Sequence, residues 1–144
     1  MIRQTFILDG YGWRVKVYYA VDCYYVDEIM DELERIGCSG RKLRMAYENM
    51  SSCSLNTGLT YSNFRRKETV MVIALTSGPE EFYNSLNHEK KHLEAHISQV
   101  FGLDDNGEDA AYLSGDIAEA MYDKAKYFLC SCRCCKDKVK HLID

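Results

Sequence analysis

Between Ser77 and Gly102 the chain carries the opening, body and stop of one long helix, and no other stretch restricts the fold so tightly. Ser77-Gly78-Pro79-Glu80-Glu81 opens it. Serine can cap, proline is tolerated in a first turn that has no use for its missing N–H, and two acids suit the positive end of the helix dipole. At about 100° per residue, Phe82, Leu86, Leu93, Ile97 and Val100 gather on one arc, with Asn87, Lys91 and Glu94 well outside it. Gly102 supplies the stop. An amphipathic helix this long needs a broad apolar floor.

Inside it, Asn87-His88-Glu89-Lys90-Lys91-His92 fits His-Glu-x-x-His. Residues four apart share a face about 6 Å apart along the axis, so His88 and His92 can converge on one tetrahedral zinc ion. Glu89, beside the first imidazole, can take a proton from water that the ion activates and deliver it to a leaving group. The wheel sets both histidines beside the apolar arc with Glu89 between it and them, which predicts ligands directed along the body of the domain. His96 extends the ridge but lies about 12 Å from His88 along the axis. Ala95 and Gln99 occupy the glycine and third-histidine positions of the extended motif, so His96 reads as a supporting or surface group. A third ligand must come from elsewhere, and Glu108, Asp109 and Asp116 are at hand. In a simple antiparallel helix pair the level of His92 falls near Asp116, whereas the loop from Gly102 to Gly107, able to reach about 20 Å, could return Glu108.

The floor is read from the rest of the chain. Met1–Leu8, the turn Asp9–Gly12 and the alternating run Trp13–Tyr19 predict a β-hairpin. Val26, Ile29, Met30, Leu33 and Ile36 predict a helix capped by Asp22 and closed by Gly37. Arg41–Met50 carries a brief helical pattern, and Ser51–Thr57 reads as a loop. Gly58–Asn63, polar enough for a sheet edge, and Thr69–Leu75, apolar throughout from Val70, predict two more strands. A last helix should carry Ala111, Tyr112, Ile117, Ala118, Met121, Ala125, Phe128 and Leu129 on its apolar side. This is an α+β pattern with a small mixed or antiparallel sheet.

With 144 residues, one Pro and nine Gly, a single domain is expected. Residues 1–76 would form mainly sheet plus one helix, 77–129 the metal-site helices, and 130–144 a cysteine-rich tail. The net charge of −4 offers no basic footprint for nucleic acid. No apolar run reaches the roughly 20 residues of a membrane span, and no signal-peptide pattern opens the chain, so a soluble cytoplasmic protein is expected. Seven cysteines are an odd number, and with Cys130, Cys132, Cys134 and Cys135 crowded together they do not form a tidy disulfide framework, so the thiols are taken as reduced. Cys132 and Cys135 have Cys-x-x-Cys spacing with His141 nearby. If the preceding helix runs on, however, Cys130 and Cys134 share a face and the others diverge, which suits packing better than a second zinc.

The His-Glu-x-x-His run, followed by Gly107-Glu108-Asp109-Ala110-Ala111-Tyr112-Leu113-Ser114-Gly115, resembles the small zincin-like proteins of bacteria and their phages. In these a second helix reads Glu-x-x-Ala-Tyr-Leu-x-Gly, and the likeness, to a reduced gluzincin, covers mainly Gly58–Met121. The resemblance implies a zinc metallopeptidase with His88, His92 and Glu108 as ligands and Glu89 as general base. It also implies that Gly115 lets two helices approach and that Tyr112 either bonds an oxyanion or belongs to the core. The edge strand Gly58–Asn63 would take up a peptide or protein substrate as an added strand. The competing expectation is a zincin-like scaffold that binds a protein partner without cleaving it, or an accessory protein of a phage or mobile element.

Overall fold

A computed structural model describes residues 1–53 and 55–142. Ser54 in the expected loop, and Ile143 and Asp144 at the end of the expected tail, lie outside the described residues. The fold is α+β. Strands β1 (Ile2–Leu8), β2 (Trp13–Val21), β3 (Gly58–Asn63) and β4 (Glu68–Ala74) form one mixed sheet in the order β1-β2-β4-β3. β2 and β4 run parallel, and the outer pairs are antiparallel.

Both sheet faces are covered, which is why β4 is apolar on consecutive residues. Helices α1 (Val26–Arg35) and α2 (Gly40–Ser51) lie over one face, where Ile29, Leu33, Ala46 and Met50 meet Tyr18, Val70 and Val72. Helices α3 (Pro79–Phe101) and α4 (Glu108–Ala125) lie over the other, where Phe82, Leu93, Ile97, Leu113, Ile117 and Met121 meet Trp13, Val15, Val17, Tyr19, Met71 and Ile73. Near the end of β2 an irregularity with Ala20 at φ 58° shifts the alternation, so that Val21 rejoins the face of Tyr18. The first half of the chain thus contains two helices beside its strands.

Several boundaries differ from expectation. A 3-10 turn, Cys23–Tyr25, stands between Asp22 and α1, so Tyr25 and not Asp22 is the cap residue. Cys23 is bonded to Cys53 across a separation of 30 residues, with Cα atoms 5.2 Å apart. The expectation of uniformly reduced thiols fails here because the packed α1–α2 pair returns the chain to its own beginning. Gly78 caps α3, while Ser77 uses its amide and hydroxyl to bond the Glu81 carboxylate. Gly102, at φ 66°, ends α3 as predicted. Leu75 lies beyond β4 and is exposed. The final helix stops at Ala125, and after a turn a separate α5 (Arg133–Leu142) follows.

Candidate metal centre and the groove beside it

α3 packs under β4 and β3, and α4 lies beside it under β1. This divides the surface of α3 into a flank closed by α4 and a flank left open along the sheet edge. His88 and His92 are on the open flank. Both are exposed, not directed along the domain body as the wheel predicts, because β3 ends the sheet and no described element covers them. Their Nε2 atoms are 3.3 Å apart, with ring centroids 5.0 Å apart. Two nitrogens bound to one tetrahedral zinc at about 2.0–2.1 Å are separated by about 3.3–3.4 Å, so the pair fits the ion.

Glu89 turns the other way, into the interface with β3, and is 2% exposed. Thr57 Oγ1 donates to one carboxylate oxygen at 2.6 Å and Thr60 Oγ1 to the other at 2.9 Å. Gly58 makes room for this. At φ +150°, a Cβ there would stand 1.8 Å from the Val72 carbonyl oxygen and 3.2 Å from Glu89 Cγ. Sequence reading missed this cradle, although strand alternation held the signal. Gly58, Thr60 and Ser62 fall on one face as three small residues, with Leu59 and Tyr61 on the other.

His96 is half-buried and fixed by a chain through the core. Trp13 Nε1–H donates to Thr69 Oγ1 at 2.8 Å, Thr69 and Ser62 hydroxyls are 2.7 Å apart, and Ser62 Oγ is 2.7 Å from His96 Nδ1. Each hydroxyl has one hydrogen. If Thr69 donates to Ser62 and Ser62 to Nδ1, all hydrogens are used and the ring proton sits on Nε2; the reverse order strands the hydrogen of buried Thr69. Burial, then the positive charge of His92 and Lys42, holds the His96 pKa below the ordinary histidine range. His96 is therefore a hydrogen-bonded group whose neutral form is favoured. It closes one end of a groove of about 300 Å³ along β3, lined also by Lys42, Met45, Leu59, Tyr61 and Phe64.

The closed flank holds no ligand for the pair. Lys90 Nζ bonds Glu94 at 2.9 Å and the Ser114 hydroxyl at 2.7 Å, tying α3 to α4. With Leu113, Ile117, Met121 and Ala125 inward, Glu108, Tyr112 and Gly115 fall on the solvent stripe of α4. Tyr112 is 68% exposed, so it is neither a core residue nor aimed at the histidines. A Cβ on Gly115 would meet nothing within 4 Å, so this glycine does not mediate close helix contact. Asp116 faces the β1–β2 turn, beside Asp9 and Tyr11. Among the described residues, neither Glu108, Asp109 nor Asp116 joins His88 and His92 in a set of three donors within 4.8 Å of one another.

One such set does exist, in the tail. The sulfurs of Cys130, Cys132 and Cys135 lie within 4.8 Å of one another and could hold a metal ion. The helix on which Cys130 and Cys134 would have shared a face is broken after Ala125, and the chain turns so that the other three converge. The Cys132 pKa is drawn down to about 7, first by the Cys135 amide, and that of Cys135 is pushed up to about 12, first by the Cys132 thiol. No described helix is long and apolar enough to cross a membrane. No protein-family model, characterised protein or solved structure matches this chain.

Proposed function

We propose that the chain is a zinc-dependent hydrolase of peptide bonds, acting as a small zincin. The observation that carries this reading is the 3.3 Å separation of the His88 and His92 Nε2 atoms on an exposed helix flank beside an open sheet edge. In this reading the two imidazoles hold zinc, which supplies Lewis acidity toward a carbonyl and toward water. Glu89, one residue from His88, accepts a proton and returns it to the departing amine. Thr57 and Thr60 orient its carboxylate and leave further lone pairs for a third donor. An extended peptide pairs with the outer edge of β3, its side chains directed into the groove between α2 and His96.

A catalytic zinc ordinarily takes three protein ligands, and Glu108 is the third in this proposal, on the resemblance alone. Its position at the first residue of α4, next to Gly107, is the point in its favour. Reordering one turn costs about 1–2 kcal/mol per residue, against about 10–16 kcal/mol released by a full zinc ligand set.

A second reading, a peptide-binding scaffold without turnover, is favoured by the solvent-facing Glu108 and by the enclosure of Glu89. Cleavage of a mixed peptide library separates the two. Zinc-dependent cleavage should fall about 10²–10⁴-fold in Glu89→Gln, a substitution that keeps the shape of the side chain in its threonine cradle. Equal cleavage by the variant removes Glu89 from the reaction; peptide binding with no cleavage by the parent chain establishes the scaffold instead.

A further inference from the structure

We infer a second metal centre, independent of the histidines, in which Cys130, Cys132 and Cys135 hold one zinc-type ion through three thiolates at the entrance to α5. Zinc–thiolate bonds of about 2.3 Å set sulfurs about 3.8 Å apart around a tetrahedral ion. The three sulfurs, already within 4.8 Å, need only small side-chain rotations to reach that spacing. All three are free thiols, whereas Cys23 and Cys53 are joined.

Backbone donors and cationic side chains surround the three sulfurs. The Cys132 amide donates to Cys130 Sγ and the Cys135 amide to Cys132 Sγ, each at 3.4 Å, so backbone donors orient two of the sulfurs and soften their negative charge. Cys132 immediately precedes the first residue of α5, setting the cluster at the positive end of that helix. Arg133, Lys136 and Lys138 add cationic charge along the same segment. Three thiolates and a divalent ion leave a net charge of −1, which this basic stretch balances. Cys134 is outside the group.

The site would also order its own segment. α5 buries no residue; Leu142 packs against the core from its end, and Phe128 and Leu129 pack there upstream. An ion across 130–135 ties the beginning of α5 to that anchored turn.

The test is titration of the reduced 144-residue chain with cobalt(II), then displacement by zinc(II). One equivalent of cobalt should give a near-ultraviolet thiolate charge-transfer band, which an imidazole pair cannot produce. Binding should weaken by about 100-fold or more in Cys130→Ser, Cys132→Ser and Cys135→Ser, and persist in Cys134→Ser and in the His88→Ala, His92→Ala double variant. Hydrogen exchange in α5 should slow on loading. Because α5 has no buried residue, the serine variants should retain the thermal unfolding of the parent, and one that does not is replaced by the corresponding alanine variant. No charge-transfer band in the parent overturns the inference. Loss of the band in Cys134→Ser, or its survival in the triple serine variant, does the same.

Discussion

The two flanks of α3 differ in what the rest of the chain does with them. On one, Lys90 and Glu94, with side chains 12% and 14% exposed, are locked to Ser114 of α4. Lysine precedes glutamate there, the weaker order for an i,i+4 pair, so the link between helices contributes more than the pair within one. On the other flank the imidazoles of His88 and His92 face solvent, and behind them a carboxylate and a third histidine are held by hydroxyls of the sheet. The closed flank uses polar groups to join helices; the open flank uses them to fix the orientation of groups that can act. The apolar face of the hairpin dictates which is which. Trp13, Val15, Val17 and Tyr19 must be covered, α3 already lies under β4 and β3, and α4 therefore packs under β1, away from the histidines. Gln4 secures it there, donating to the Ala120 carbonyl at 2.8 Å while accepting from Tyr19 at 2.6 Å.

The sharpest way to break this contrast is to damage one flank at a time. Gly58→Ala on the open side forces a Cβ against the Val72 carbonyl and into the Glu89 cradle, and should cost about 2–3 kcal/mol in urea unfolding. Ser114→Ala on the closed side removes one hydrogen bond to a partly buried lysine that keeps Glu94, and should cost about 1 kcal/mol. If Gly58→Ala proves the milder change, the open flank is not a built site and the cradle is incidental.

The next effect tests whether the flanks are linked through metal. Under the peptidase reading, Glu108→Ala should weaken zinc binding about 10–100-fold while Asp116→Ala leaves it unchanged, measured by competition with a chromophoric chelator. The metal-free stability of Glu108→Ala should fall by no more than about 1 kcal/mol, the worth of an acid at a helix N-terminus. Unchanged zinc affinity in Glu108→Ala would leave two imidazoles alone on the open flank, and with them the scaffold reading.

That experiment is needed because the residues revealed faces more readily than neighbours. The hairpin, the central β4, the polar edge β3 and the glycine stop of α3 are local consequences of alternation and turn chemistry, and they stand where the chain predicts them. The convergence of His88 and His92 is legible for the same reason, being a property of four residues of helix. Which element borders each flank is not local. It depends on the direction in which the loop after Gly102 returns, and that is set by apolar surface on strands about a hundred residues earlier in the chain. That gap is why Tyr112 and Gly115 do not stand where the resemblance implies, and why Glu108 faces solvent. The cysteine cluster escaped for the opposite reason: it needs the helix to stop at Ala125, and the apolar pattern through Phe128 and Leu129 conceals the stop, since both still pack on the core from a turn.

The smallest expected effect concerns the hydrogen-bond chain that separates His96 from its exposed neighbours. The folded protein holds its imidazole neutral, mainly through burial, so its pKa lies below the 6.5 of the free side chain. A depressed histidine pKa means that the unfolded chain takes up the proton first. The corresponding stability is fully present above about pH 6.5 and is lost as the pH falls through the folded-state pKa. Between pH 7.5 and 5.5 the parent should therefore lose more unfolding free energy than His96→Asn, whose side-chain amide can still meet Ser62 but does not titrate. Measuring both at each pH in denaturant, in the His88→Ala, His92→Ala background, confines the difference to His96. Parallel pH profiles would mean that the Trp13–Thr69–Ser62 chain runs the other way and presents an imidazole that accepts its proton without penalty. The third histidine of the open flank would then be free to charge, no longer held neutral by the hydroxyls of the sheet.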